Sequence, residues 1–422
     1  MNLTAELASR GFAFTLGALL FLTVTISLMR TVIVPRPLRS LYTDAVMWLI
    51  ITVVRMVALT RRTYTARDAA LAWIGPIIIL GLLIAWLVGF LVAYGFMLYG
   101  AGGTDLGDSM RESGSSLLTL GFAGSDAENQ TVIDFIAAAT GPIVIAMLIG
   151  FLPTIYQAFI DREINVNMLV SEAGDPAWGP ELLSRTSLTG SLDTLDRLFD
   201  TWTLWAASTR LTHITYPMLM YVRSPRARRH FTVSLLAVMD AAALKVSLTS
   251  SLPRRDSYRV LLEGTQTFNL LYINFFAHRP RRSRIPFVGR FLGGVHHTFP
   301  RSLSLPAWQD EIIAVHEAAA QDTAAGMSTE GVLGLEAGEE IPVQITRKEF
   351  DFAVDVLRRS GFPMERSPDD AWLMFKEARS RYEFPAYAIM RRLSAVPAPW
   401  TGVRTPATPV IWPTLAVDLL PK

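Results

Sequence analysis

Two hydrophobic stretches without a single charged residue, Ala69–Thr104 and Phe135–Ile160, constrain the fold of this chain more than any other feature. Each is long enough to cross a hydrocarbon core of about 30 Å, which takes about 20 helical residues. The polar segment between them, Gly107–Gly124, reads GDSMRESGSSLLTLGFAG and is too polar and too short to cross. Because unpaired backbone is costly in lipid, we expect this segment to dip into the membrane inside protein and to return to the same side.

The dip ends in a short run of residues that resembles a known ion site: Thr119, Leu120, Gly121, Phe122, Ala123 and Gly124. A Thr-x-Gly-aromatic run at the end of a re-entrant segment resembles the selectivity filter of P-loop potassium channels, in which backbone carbonyls replace the hydration shell of the ion. Ser115, Ser116 and Thr119 supply hydroxyls where that family has a Ser/Thr-rich pore helix.

The resemblance covers residues 69–160 as outer helix, pore helix, filter and inner helix. It implies an all-α membrane protein with a P-loop cation channel pore module and a soluble C-terminal helical domain. The ions that it implies are permeant K+ or Na+, and no other metal and no cofactor is expected.

By the same resemblance, two weak points of the inner helix form a gating hinge, since Pro removes a backbone donor and Gly lowers helix propensity. These are Gly141 with Pro142, and Gly150 with Pro153.

One filter position departs from the family pattern. The family reads Thr-Val-Gly-Tyr-Gly, whereas the fifth position here is Ala123, and a glycine follows only at Gly124. Because alanine disfavours a positive φ, the sequence predicts fewer ordered ion sites and weak discrimination between K+ and Na+. The competing interpretation is that residues 122–124 rebuild the same ring with a local shift, which would leave the pore selective.

Composition indicates a membrane protein with a large water-soluble part. The apolar fraction is 51% and the mean hydropathy is +0.32, while most of the charge lies in the second half of the chain. The predicted organisation is an N-terminal membrane helix plus an interfacial or spanning helix in 1–68, the pore module in 69–160, a cytoplasmic α-helical domain in 161–317, a linker in 318–340, a helical segment in 341–396 and a Pro-rich tail in 397–422.

Basic residues set the expected orientation of the chain. Three arginines follow the apolar run Gly11–Met29, and three more follow Tyr42–Thr60. If the second run lies in the cytoplasmic interface, both basic loops stay inside, as the positive-inside bias favours, and three helices span the membrane. If it crosses, one basic loop lies outside and four helices span. The arginines are Arg30, Arg36, Arg39, Arg61, Arg62 and Arg67.

Acidic residues cluster on the expected outer side of the pore module. Repeated around a symmetry axis, they would raise the local cation concentration at an outer mouth. The plain alternative is that acids are ordinary solvated loop residues. The predicted mouth residues are Asp105, Asp108, Glu112, Asp126 and Glu128.

A single re-entrant segment supplies only one sector of a ring of carbonyls, so several subunits must assemble around an axis. By resemblance to the family, the assembly is a homotetramer in the lipid bilayer of the cell membrane, multi-pass, with the C-terminal domain in the cytoplasm. A net charge of +2 does not suggest nucleic acid as a partner. The sequence indicates neither a cytoplasmic ligand nor a protein partner for the helical domain.

Two hypotheses on function remain open at this point. The first is a potassium-like cation channel with a cytoplasmic regulatory domain. The second is a non-conducting, membrane-anchored signalling or scaffold protein with a degenerate pore loop. No Walker loop, His-Glu-x-x-His or Gly-x-Ser-x-Gly motif occurs in the chain, so an enzyme is not expected.

Overall fold

The computed structural model describes residues 3–34, 40–124, 127–277 and 343–401, and every element in these ranges is helical. The first six helices are α1 (Leu3–Val32), α2 (Leu41–Leu59), α3 (Tyr64–Ala72), α4 (Ile74–Gly100), α5 (Leu106–Leu117) and α6 (Glu128–Ala173). The next seven are α7 (Gly179–Leu188), α8 (Leu195–Thr215), α9 (Phe231–Leu248), α10 (Arg255–Tyr272), α11 (Arg347–Arg359), α12 (Pro368–Ser380) and α13 (Glu383–Leu393).

Five helical segments are long and apolar enough to cross a membrane, as an all-α membrane protein requires. The fifth of them, α9, is entirely enclosed by the other helices of the C-terminal half, so its apolar character serves a protein core. The segments are Glu6–Val32, Leu41–Leu59, Tyr64–Gly100, Glu128–Ala173 and Phe231–Leu248.

Helix α1 runs antiparallel to α4. A Cβ on Gly17 would lie 2.6 Å from the carbonyl oxygen of Ala93, so the absence of a side chain lets the two helices touch near the end of α4. Further along α1, Ser27 Oγ accepts a hydrogen bond of 3.3 Å from Trp86 Nε1, which lies earlier in α4. As the residue number rises along α1, the contacted residue number falls along α4.

Helix α2 also runs antiparallel to α4, and therefore in the same direction as α1. Tyr42 donates its hydroxyl to the carbonyl of Ala85, whereas Ile50 packs where a Cβ on Gly81 would lie 2.5 Å from its Cδ1. Helix α2 thus continues along α4 beyond the end of α1 and does not lead back toward the start of α1. The number of spanning helices stays a prediction, because the interpretation with three of them placed α2 in the plane of the interface, whereas α2 runs along α4. Arg36 and Arg39 lie outside the described residues.

A second core surrounds α9 and contains residues from both ends of the C-terminal half. Phe350 and Phe375, from helices after residue 343, belong to the same buried cluster as Phe199 and Trp202 of α8. The segment 341–396 is therefore packed into the helical domain instead of forming a separate body. The predicted linker 318–340 and the tail beyond Thr401 lie outside the described residues, while Trp400, near the start of the tail, is buried.

Helix α6 joins the two cores without a break. The sequence predicts an inner helix ending near Ile160, but the helix continues to Ala173 because Val166 and Leu169 extend its buried face into the second core. At the junction, the buried Arg162 guanidinium donates to the carbonyls of Leu219 and Val222, at 3.0 and 2.8 Å.

A buried ion-pair network holds α12, α13 and α9 together. The Arg379 side chain, 0% exposed, lies 2.6 Å from an Asp240 carboxylate oxygen and 2.8 Å from one of Glu383. It also donates to the Tyr387 hydroxyl and to the Trp400 carbonyl. Pairing with opposite charges offsets much of the cost of removing these groups from water.

Replacing Arg379 by Ala should lower the free energy of unfolding by about 3–5 kcal/mol, because two buried carboxylates lose their counter-ion. The matched control is Arg358→Ala, which removes an exposed ion pair with Asp355 and should cost about 0–1 kcal/mol. Denaturant unfolding of both variants in detergent micelles measures the difference. Equal losses for the two variants would contradict the role of the network.

Candidate ion-conduction site

The re-entrant segment, residues 106–124, begins with a well-capped helix. Asp105 is the N-cap of α5, and its carboxylate accepts the backbone N–H of Asp108 at 2.9 Å. Asp108 in turn accepts the hydroxyl of Thr104 at 3.0 Å. Acidic side chains at this end satisfy free N–H groups and complement the helix dipole, which is why the segment becomes helical here.

Helix α5 runs back along α4, from the Gly100 end toward the middle of α4, and ends against α6. The Ser113 hydroxyl donates to the carbonyl of Leu91 at 2.8 Å, about 14 Å along the axis from Gly100 at 1.5 Å per helical residue. The chain then turns back along α5. The Phe122 ring lies 5.7 Å from the guanidinium of Arg111, which lies within α5. The segment thus runs along α4 and turns back on itself, and its entry into a membrane stays a prediction.

Left-handed backbone occurs at two residues of the filter-like segment, residues 119–124. Thr119 has φ of 55° and Gly121 has φ of 70°, and Ala123 has no positive φ. A positive φ is strained for a β-branched residue such as threonine and unstrained for glycine. The Cβ of Ala123 therefore does not oppose this backbone conformation, although ion selectivity itself stays a prediction.

Backbone N–H groups of the filter-like segment bond back to α5. The Ser115 hydroxyl accepts from the N–H groups of Phe122 and Ala123, each at 3.0 Å. The Ser115 carbonyl accepts from Leu120 at 2.7 Å, and the next carbonyl of α5 accepts from Thr119 at 3.0 Å. One buried serine thus sets the position of three residues of the segment.

The carbonyl groups of residues 119–123 differ from these N–H groups in their hydrogen bonding. Within the described parts of the chain, none of these carbonyl oxygens accepts a hydrogen bond. The neighbouring Leu118, Leu120 and Phe122 side chains are 46%, 60% and 58% exposed. Free carbonyls on an apolar surface are costly in lipid, but they can coordinate a cation that sheds its water.

Glu112 lies behind the filter-like segment. Its carboxyl group faces that of Asp134 on α6, and the Ser116 hydroxyl donates to Asp134 at 2.6 Å. Sequence spacing gave no sign of this pair, because its members come from different helices.

The other predicted mouth residues lie in different local environments. Asp105 and Asp108 stabilise the start of α5, and Glu128 is exposed in the first turn of α6. Asp126 lies outside the described residues. A ring of acids at an outer mouth stays a prediction.

The predicted hinge residues lie within an unbroken helix. Helix α6 continues through Pro142 and Pro153. A Cβ on Gly141 would lie only 1.9 Å from the carbonyl oxygen of Leu117, whereas a Cβ on Gly150 would meet nothing within 4 Å. Gly141 therefore allows α6 to touch the end of α5, a contact that the sequence did not reveal, and hinge motion stays a prediction.

Comparison of the chain with models of protein families, with curated proteins and with solved structures gives no match in any of the three. Likewise, no group of three or more potential metal-ligating His, Cys, Asp or Glu side chains occurs in the described ranges. The function is therefore inferred from the residues and the geometry given above.

Gly141→Ala should displace α5 from α6, because the new methyl group would overlap a backbone oxygen that cannot turn aside. We expect a loss of about 1–3 kcal/mol in unfolding free energy from this overpacking. Gly150→Ala is the matched control, since it adds the same methyl group to the same helix in open space and removes a weak helix former. Thermal unfolding in detergent distinguishes them, and unchanged stability of the Gly141 variant would contradict the tight contact.

Proposed function

We propose that the protein is the subunit of a homotetrameric, potassium-like cation channel in the cell membrane, with its C-terminal helical domain in the cytoplasm. The observation that carries this proposal is the one-sided hydrogen bonding of residues 119–123. Four of their five N–H groups, all except that of Gly121, bond to α5, while their carbonyls accept no bond from the described residues. Carbonyl rings of this kind bind K+ in place of water.

The exposed surface beside the filter-like segment supports assembly. Phe135 and Ile143 of α6 are 72% and 54% exposed, on the opposite side of the helix from its buried residues. Leu120 and Phe122 of the filter-like segment are exposed as well, and lipid would leave the free carbonyls of that segment unsatisfied. Closure of four copies around an axis would cover the surface and direct four sets of carbonyls at one ion path.

The roles within this proposal follow from the local contacts. Thr119, Leu120, Gly121 and Phe122 offer the carbonyls, and Ser115 holds the segment from behind. The helix directions and the arginines after α1 and α2 favour an orientation with the re-entrant segment on the outer side and the helical domain inside.

Flux into proteoliposomes tests the function directly. The wild-type protein should carry K+, and Gly121→Ala should abolish the flux because φ of 70° costs an alanine about 1–2 kcal/mol. Gly124→Ala is the control, since neither a positive φ nor a neighbouring atom opposes a Cβ there. Parallel measurements with Na+ decide between the selective and the weakly selective pore.

A wild-type protein that inserts and assembles but carries neither ion would refute the channel and favour the membrane-anchored scaffold. Retained flux in the Gly121 variant, at the wild-type K+ to Na+ ratio, would remove the filter-like segment from the ion path.

Labelling with an impermeant thiol reagent tests the orientation, and the absence of native cysteines gives a clean background. Glu128→Cys should react from the outside of intact cells and Arg358→Cys only after permeabilisation, since both positions are exposed in the folded chain. Reaction of both from the same side would overturn the arrangement of three spanning helices.

A further inference from the structure

We infer that the part of α6 from the end of its charge-free stretch onward is a subunit interface in its own right, in which Gln157, Asp161, Ile164 and Met168 of one copy pack against the same residues of neighbouring copies. These four residues are the α6 seam. The inference rests on the proposed function for the number of copies and adds a contact that a pore alone does not require.

The buried face of α6 keeps one direction along the whole helix. Residues of that face recur at intervals of three, four or seven positions along α6, and none of them belongs to the α6 seam. They include Ile133, Ala137, Gly141, Val144, Phe151, Ile155, Arg162, Val166, Leu169 and Ala173.

The opposite face is exposed over the same length. It contains Ile143, Ala146, Gly150 and Pro153 in the membrane part and then continues directly into the α6 seam, again with spacings of three and four residues. Such spacing places side chains on one side of a helix and is typical of helices that pack against a second helix. Because α6 is unbroken, the face that would line the pore and the α6 seam point in the same direction.

Three of the four residues of the α6 seam lie beyond the charge-free stretch Phe135–Ile160, where lipid would not cover them. Asp161 and the adjacent charged pair Arg162 and Glu163 mark the point at which α6 enters the helical domain. Beyond that point, Ile164 and Met168 are still 50% and 63% exposed. Large apolar side chains that are exposed to water at helical spacing are typical of a protein-binding surface.

A second copy of this chain is the partner that the geometry favours. Four α6 helices brought together around the pore would carry their continuations to the same axis without any new bend. The hydrogen bond of 2.7 Å from Gln157 to Asp161 puts a polar pair within the α6 seam, and polar residues at such positions fix the register and number of packed helices.

Cross-linking tests the α6 seam. Met168→Cys, in the otherwise cysteine-free full chain, should give covalent dimers with a short bismaleimide in native membranes at low protein density, and Ile164→Cys, one turn away, should do the same. Arg358→Cys, also exposed but on α11, is the control and should react with a monofunctional maleimide without cross-linking. Subunit number by native mass measurement and K+ flux are recorded on the same variants.

The outcomes separate this inference from the channel. If the Met168→Cys variant is a conducting tetramer that reacts with the monofunctional reagent but does not cross-link, the inference is overturned and the channel stands. A thiol at this position that does not react at all is covered by another part of the same chain and also overturns it. Cross-linking without flux supports the α6 seam and refutes the channel, and a monomer refutes both.

Discussion

The arrangement of the candidate site depends on the hydrogen bonds that the Ser115 hydroxyl accepts. This hydroxyl accepts two successive backbone N–H groups from the returning chain, and so turns the hydrogen-bonding donors of that chain toward the protein. In the membrane position proposed for this loop, the alternative to such anchoring is unsatisfied backbone. The serine itself is buried on α5, whose position is set by Ser113 against α4 and by Gly141 of α6. Packing of three helices therefore determines where a few backbone oxygens lie.

The division of the chain by hydropathy predicts much of this structure. The two charge-free stretches become α4 and α6, and the polar segment between them becomes a short helix with a returning loop, because length and polarity leave few other solutions in lipid. The same reasoning misses what depends on distant contacts. Helix α6 is longer than its apolar run, since Val166 and Leu169 find a second core that no local pattern announces.

Neither apolar composition nor motif spacing is sufficient on its own to assign a structure. The run Phe231–Leu248 is apolar enough for a membrane and yet fills the centre of the helical domain, because helices from either side of residues 278–342 enclose it. At Ala123, the family pattern suggested a position that needs a positive φ. In the structure that conformation falls on Thr119 and Gly121, where local turn geometry demands it. The spacing of residues in a motif does not determine the dihedral angles of each member.

The binding of Arg162 has a mechanical consequence. Its guanidinium binds the backbone of Leu219 and Val222 and lies 4.6 Å from the centre of the Phe231 ring, so α6 is held to the helical domain at this residue. A torque applied to that domain by any bound molecule would be transmitted along one continuous helix to Gly141, where α6 bears on the end of α5. The helical domain and the contact between α6 and α5 are thus connected through one continuous helix, which also contains the predicted hinge residues Gly141, Pro142, Gly150 and Pro153.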